Sequence, residues 1–141
     1  MSYARSERAR VALAGSDHYA AGVVPDSVFP AFVEIGLGVD LHGEDQTKAA
    51  VRAVREVLGR NSFPGMRALV PDGDLSRMRV EAVVAVPRPE EVDTAAVASQ
   101  FPYGQITVTA VAGGCRTPGG APLGDEVNHL TCAVAVVSVG W

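Results

Sequence analysis

One apolar stretch near the C-terminus constrains the fold more than any other feature of this 141-residue chain. The run from Leu130 to Val139 is apolar at every position except Thr131 and Ser138. Such a run is typical of a strand in the middle of a sheet, where neighbouring layers cover both faces. The sequence therefore predicts a sheet that has this segment as its central strand.

The other elements are predicted from hydrophobic spacing and from turn residues. A strand from Val28 leads into a glycine-rich turn, and Asp45 is placed to cap a helix that has apolar residues at helical spacing. We expect further strands at 66–70, 78–86 and 106–112, a short helix at 90–99, and a loop at 117–124. The order β-α-β-β-α-β-β predicts a two-layer α+β domain, with a mixed sheet and two helices on one face.

Length and composition predict one domain that associates with further copies or partners. Residues 28–141 suffice for a single domain, whereas 1–27 lack a sustained apolar period and are predicted to be a flexible extension. Aromatic residues are only 6% of the chain, so the core is expected to consist of small side chains that bury little area. Helices on one face leave the other face of the sheet without a cover. We therefore expect an oligomer.

The charge balance excludes several classes of protein. Twelve basic residues against 16 acidic ones give a net charge of −4, which argues against nucleic acid and anionic membranes as partners. No segment reaches the roughly 18 apolar residues of a membrane span, and no apolar signal region follows the N-terminus. Cys115 and Cys132 match no zinc spacing. A cytoplasmic protein with free thiols and without a cofactor is predicted.

The segment from Gly36 to Lys48 has the highest density of candidate functional residues. It joins a strand to a helix N-terminus, where free N–H groups favour an anion or a polarised carbonyl. Asp40 and His42 share a face of an extended chain, so they form a candidate general base or two metal ligands. In the structural alternative, Asp40 caps the turn and His42 donates to a backbone carbonyl. Two ligands do not make a metal site, and none is predicted.

Lys48 is the only lysine in the chain, against 11 arginines. A compact ammonium group beside the glycine turn suits anion binding, or a base with a lowered pKa. Alternatively, Lys48 belongs with Arg52 and Arg55 to the solvated face of the helix.

A second candidate cluster follows the strand at 106–112. Gly113 and Gly114 expose N–H groups that suit an oxyanion hole, and Arg116 could clamp a carboxylate or a carbonyl. Cys115 is either a nucleophile or an apolar filler. His129 and Cys132 are interpreted as structural residues of the last strand.

The run VEIGLGVDLHGEDQTKAAVRAVREVLGRNSFPG resembles the hallmark of a small family of conserved hypothetical proteins marked by GxGxDxHG. The residues of the motif are Gly36, Gly38, Asp40, His42 and Gly43. The resemblance extends from about Phe32 to the C-terminus and implies no established activity.

A more distant resemblance is to one repeat of the ring-opening amidohydrolases of the cyanuric acid hydrolase and barbiturase type. Asp45-Gln-Thr47-Lys48 is similar to a helix start in that family, with Lys48 at the place of a substrate-binding arginine. Ala112-Gly113-Gly114 is similar to the family's Ser-Gly-Gly, but has alanine in place of the serine, and the family's turn lysine has no match. The resemblance implies a threefold assembly with chorismate-mutase-like packing, as a homotrimer or with similar subunits.

The resulting hypothesis is an assembly that binds or hydrolyses a small cyclic amide at its subunit interfaces. The predicted catalytic residues are Lys48, Asp40 and His42, and the predicted substrate-binding residues are Gly36, Gly38, Gly43, Thr47, Gly113, Gly114 and Arg116. The alternative is a non-catalytic partner subunit, or a small-molecule-sensing module, of a hetero-oligomer.

Overall fold

The computed structural model describes residues 30–62, 64–119 and 127–141. The predicted extension at 1–27 and most of the predicted loop at 117–124 therefore lie outside the described residues. Among the described residues, no helix is long and apolar enough to cross a membrane.

The described chain forms five strands and three α-helices. In chain order they are β1 (Phe32–Asp40), α1 (Gln46–Arg60), α2 (Met66–Leu69), β2 (Arg79–Val86), α3 (Thr94–Ala98), β3 (Gln105–Ala112), β4 (Cys115–Pro118) and β5 (His129–Gly140). Short 3-10 turns at Pro71–Gly73, Leu75–Arg77 and Pro89–Glu91 connect some of these elements.

The strands form one mixed sheet in the order β1-β5-β2-β3, and β4 pairs with the beginning of β5. β2 and β3 are parallel, whereas β5 is antiparallel to each of its neighbours β1, β2 and β4. The apolar C-terminal run is thus the central strand, as predicted. The predicted α+β class with a mixed sheet is confirmed.

Three predicted elements differ from the structure. The expected strand at 66–70 is the single-turn helix α2, and the expected helix at 90–99 is divided between a 3-10 turn and α3. The segment 66–70 has only five residues, one of which is Arg67, so its pattern does not distinguish a strand from a helix, and Pro71 follows it directly. β4 occupies the beginning of the expected loop, because Cys115 to Pro118 pair with β5.

The core lies between α1 and one face of the sheet. Residues 49, 50, 53, 54 and 57 of α1 are buried alanines and valines, and they pack above alternate residues of β2 and β5. Phe101 is the one aromatic residue among the buried core residues that the structure describes. The core is therefore built mainly from small side chains, as the composition predicted.

The opposite face of the sheet has no covering layer within the described residues. Val33, Ile35 and Leu37 of β1 point to this face and are 54%, 56% and 64% exposed. The predicted placement of the helices on one face of the sheet is therefore confirmed, and the covering of the other face of β5 by an oligomer stays a prediction.

Candidate functional site

The glycines that the sequence placed in a turn lie inside strand β1. A Cβ atom on Gly36 or Gly38 would approach backbone atoms of α1 closer than 3.0 Å, at Ala53 for Gly36 and at Ala49 and Ala53 for Gly38. Glycine at these two positions therefore lets α1 lie directly against β1. The close packing gives both glycines a structural role, and their predicted role in substrate binding stays a prediction.

Asp40 ends β1 and is completely buried. Its Oδ1 lies 2.6 Å from Lys48 Nζ and 3.5 Å from Arg52 Nη1, and its Oδ2 accepts the backbone N–H of Asp45 at 3.1 Å. Asp45 in turn caps α1 by accepting the N–H of Lys48. Asp40 and Lys48, both predicted to be catalytic, therefore form an ion pair that fixes the end of β1 to the beginning of α1.

The surroundings of Asp40 favour its ionised form. Burial raises the pKa of the carboxyl group. Hydrogen bonds from Lys48 and from the Asp45 backbone, together with the positive charges of Lys48 and Arg52, outweigh burial and hold the pKa below its ordinary value. The Asp40 carboxylate therefore pairs with Lys48 and Arg52 in its charged form.

Glu44 is the centre of a second ion-pair cluster. It has a φ of +53°, which is uncommon for a residue with a side chain, and follows Gly43, whose φ is +94°. Its carboxylate contacts Arg116 and lies 3.9 Å from Arg88 and 3.7 Å from His129. The hydrogen bond from Arg116 is the main reason that the pKa of Glu44 is lowered. Arg116 thus pairs within the chain.

The other predicted residues of this segment make separate contacts. His42 Nδ1 lies 2.9 Å from Asn128 Nδ2, and is not joined to Asp40 by a hydrogen bond in the described structure. Thr47 Oγ1 accepts the backbone N–H of Asp93 and donates to the Glu91 carbonyl, so it connects α1 to α3. The catalytic and binding roles proposed for these residues stay predictions.

The Gly113-Gly114 turn is also packed within the chain. The N–H of Gly113 donates to the Val86 carbonyl at 3.0 Å, so it is occupied rather than directed at a ligand. A Cβ on Gly114, which has a φ of +62°, would collide with the Cys132 carbonyl. Burial raises the pKa of the Cys132 thiol, and a hydrogen bond with Cys115 raises it further. That thiol is therefore a poor nucleophile.

One buried polar atom lies near Asp40 without a partner. Thr131 is fully buried directly opposite Asp40 in the β1–β5 pair, and its hydroxyl has no hydrogen bond within the described residues.

No group of three or more possible metal ligands occurs in residues 30–62, 64–119 and 127–141.

A cavity that the sequence analysis missed lies at the other end of the sheet. Its volume is about 570 Å³, it is open to solvent on one side, and it is lined by the start of β1, the end of α1, the segment 101–103, and the end of β5. Most lining residues are apolar, among them Leu58, Met66, Met78, Phe101 and Tyr103.

Glu34 is the one charged residue among the described residues that line the cavity. It is half-buried and has no ion-pair partner within the described residues. Residues 32, 34 and 36 of β1 alternate onto the face that α1 covers. An acidic residue on the inward face of a strand was thus the available sequence signal.

Comparisons with known proteins place the chain in a family but assign no activity. A crystal structure of an FtsZ-like protein of unknown function from Nostoc punctiforme PCC 73102 is similar, with 36% identity and a TM-score of 0.68. That match covers 78% of this chain and 93% of that one. A point mutant of FtsZ from M. jannaschii matches at 16% identity with a TM-score of 0.38, over 75% of this chain and 27% of that one. No curated protein matches the chain.

The Nostoc protein overturns the predicted function. It is an FtsZ-like protein of unknown function rather than an amidohydrolase, so the hypothesis of a cyclic-amide hydrolase in a threefold assembly is wrong. The alternative of a partner subunit or sensing module in a hetero-oligomer finds no support in it either. The model of the conserved hypothetical protein family Lin0512_fam matches residues 30–139. The chain therefore belongs to this family of conserved hypothetical proteins.

Proposed function

We propose that this chain binds a small, largely apolar molecule that carries an amine, in the cavity between the end of α1 and the sheet. The observation that carries the proposal is the cavity itself, with about 570 Å³ of space and, at Glu34, a carboxylate that has no ion-pair partner within residues 30–62, 64–119 and 127–141. Small-molecule sites are commonly concave, mostly apolar, and about 300–1,000 Å³ in volume, with a few polar groups that orient the ligand.

The lining supports an apolar body for the ligand. Met66 and Met78 contribute flexible thioether side chains, which adapt to ligands of different shape. Phe101 and Tyr103 offer aromatic surface, which attracts both apolar groups and cations. A ligand that fills this space gains affinity mainly from the burial of its apolar surface.

Glu34 supports a cationic head group. A carboxylate at the wall of an apolar cavity favours a positively charged partner, because the low local dielectric strengthens the attraction. The other polar side chains of the wall are partly engaged, since Gln100 binds Arg55 and Ala96, and Asn61 donates to the Val57 carbonyl. An ammonium group on the ligand would therefore pair with the Glu34 carboxylate.

The first test compares three probes that share one apolar body. 4-Phenylbutylamine, 4-phenylbutanol and 4-phenylbutyrate differ only in the charge of the head group, and isothermal titration calorimetry of the full chain measures their affinities. We expect the amine to bind most tightly and the carboxylate least tightly. Equal affinities for the three probes would contradict the role of Glu34, and binding of none would contradict the site.

Two substitutions locate the binding. Glu34→Gln should lower the affinity for the amine about 10- to 100-fold and leave the affinity for the alcohol unchanged. The reason is that a hydrogen bond to a charged group contributes roughly 1.5–3 kcal/mol. Leu58→Trp places a larger side chain in the wall of the cavity and should lower the affinity for every probe that binds, by at least about 10-fold.

Matched controls separate these effects from general damage. Glu90→Gln removes a carboxylate outside the cavity wall, and Leu69→Trp makes the same change at an exposed leucine that does not line the cavity. Both should bind the amine within about twofold of the unmodified chain. A loss of binding in either control as large as in its test variant would contradict the assignment of the cavity.

We infer a structural role for the two ion-pair clusters around Asp40 and Glu44. The contacts of Lys48 and Arg52 with Asp40 connect α1 to β1, and those of Arg116 and Arg88 with Glu44 connect the β1–α1 turn to β4 and to the end of β2. Because these charges are paired within the chain, we infer that they stabilise the fold of the domain and do not form a binding site.

A further inference from the structure

We infer that the uncovered face of the sheet binds a second copy of this chain, face to face. This inference is independent of the proposed ligand site, because the cavity lies on the side of the sheet that the helices cover. Four properties support it: the apolar residues of the face are contiguous, the face is formally neutral, its area is large enough, and the free edge of β1 is obstructed.

The face is a continuous apolar surface across three neighbouring strands. Ile35 and Leu37 of β1 are opposite Val136 and Val134 of β5, which in turn are opposite Val83 and Ala85 of β2. In an antiparallel pair, residues that are directly opposite share a face, so these side chains form one patch. Two residues of the patch, Ile35 and Leu37, are more than half exposed. Large contiguous apolar patches usually mark interaction sites.

The charge of the face fits a second copy of the same chain. Arg79 and Glu81, two residues apart on β2, are the charged residues among the described strand residues on this face. One positive and one negative charge leave the face formally neutral, although the whole chain has a net charge of −4. Two copies that meet at this face therefore keep most of their acidic residues away from each other.

The size of the face reaches the lower limit for a specific contact. Strands are about 4.8 Å apart and rise about 3.3 Å per residue, so four strands of eight residues span roughly 500 Å² in projection. Two such faces together cover about 1,000 Å², which is the lower size for a specific interface. Two sheets that pack in this way lie about 10 Å apart, as in a β-sandwich.

The free edge of β1 is closed to a further strand. Glu56 accepts the N–H of Leu37 at 2.9 Å, Arg52 donates to the Val39 carbonyl at 2.5 Å, and Arg60 donates to the Ile35 carbonyl. These helix residues occupy three of the hydrogen-bonding groups that an added strand would need, and so obstruct its pairing. At β1, association therefore uses the face rather than the edge.

Analytical ultracentrifugation of the full chain tests the inference. We expect a species of at least twice the 14.6 kDa mass of one chain at micromolar concentration. Ile35→Lys places a charge within the apolar patch and should shift the protein to the monomer. Leu69→Lys, at a half-exposed leucine on the helical side, should leave the association unchanged.

Circular dichroism verifies that Ile35→Lys remains folded, since Ile35 is 56% exposed in the single chain. If that variant unfolds, Leu37→Lys replaces it in the same measurement. A monomeric full chain would overturn the inference and leave residues 1–29 or another protein as occupant of the face. An oligomer that persists in the folded Ile35→Lys variant, or in its replacement Leu37→Lys, would overturn it as well, because its contact would then lie elsewhere.

Discussion

Gly38→Ala is expected to destabilise the fold by more than about 3 kcal/mol. The added methyl group would lie closer than 3.0 Å to the Ala49 carbonyl oxygen and to the backbone nitrogen of Ala53. Both are backbone atoms of α1, so no side-chain rotation relieves the collision, and the helix must move away from β1. Overpacking of a core costs typically 1–3 kcal/mol where side chains can adjust, and more where they cannot.

Gly59→Ala is the matched control for this prediction. Gly59 lies in the last turn of α1, and a Cβ there would meet nothing within 4 Å. Alanine has a higher helix propensity, so the variant should be more stable by about 0.5–1 kcal/mol. Urea denaturation followed by circular dichroism gives the free energy of unfolding for both variants. If Gly38→Ala changed it by less than 1 kcal/mol, close packing of α1 on β1 would not explain this glycine.

Asp40→Asn is expected to lower the free energy of unfolding by about 2–3 kcal/mol at pH 7. The substitution removes the buried negative charge that Lys48 and Arg52 contact, but these two side chains are each 45% exposed and can turn to solvent. The loss is therefore smaller than the 3–5 kcal/mol that follows when one partner of a fully buried pair is removed. Asp72→Asn removes an exposed ion pair with Arg77 and should cost under about 0.5 kcal/mol.

The effect of Asp40→Asn should also depend on pH. The pKa of Asp40 is lower in the folded chain than its ordinary value of 3.8. Its contribution to stability is therefore complete above the unfolded pKa, and is lost as the pH falls through the folded pKa. Urea denaturation from pH 7 downward should show the difference between the unmodified chain and Asp40→Asn shrinking below about pH 4. A difference that stayed constant at low pH would show that the carboxylate charge is not the cause.

The central strand and the composition of the core were predictable from the sequence, because both follow from local patterns. A ten-residue run with only two polar residues favours a central strand, and a chain poor in aromatic residues must build its core mainly from valine and alanine. The cap at Asp45 was also predicted, because a short acidic side chain before a helical pattern is a strong start signal.

The role of the glycines was not predictable from one sequence. Glycine permits a turn, an approach by a ligand, or an approach by another backbone, and Gly36 and Gly38 fit all three in a linear pattern. Only the position of α1 against β1, which depends on packing across the domain, shows that the third case applies. The ion pair between Asp40 and Lys48 was unpredictable for the same reason. The sequence places the two residues in the same segment, but their contact depends on how α1 packs against β1.

The cavity was missed because its wall comes from segments that are far apart in the chain. β1 contributes Glu34, α1 contributes Leu58, and the segment after α3 contributes Phe101 and Tyr103. Each of these apolar residues fits the pattern of an ordinary core when taken alone. Glu34 was the exception, as a charged residue in register with the buried face of its strand.

Methyl NMR of methionine tests the ligand site most directly. Met66 and Met78 both line the cavity, and the ring current of a bound phenyl group would shift their ¹³C-methyl signals. Titration of the full chain with 4-phenylbutylamine should move both signals with one saturating binding curve, and the Leu58→Trp variant should show much weaker shifts at the same concentrations. If both signals stayed unchanged while calorimetry detected binding, the amine would be bound elsewhere and the proposed site would be wrong.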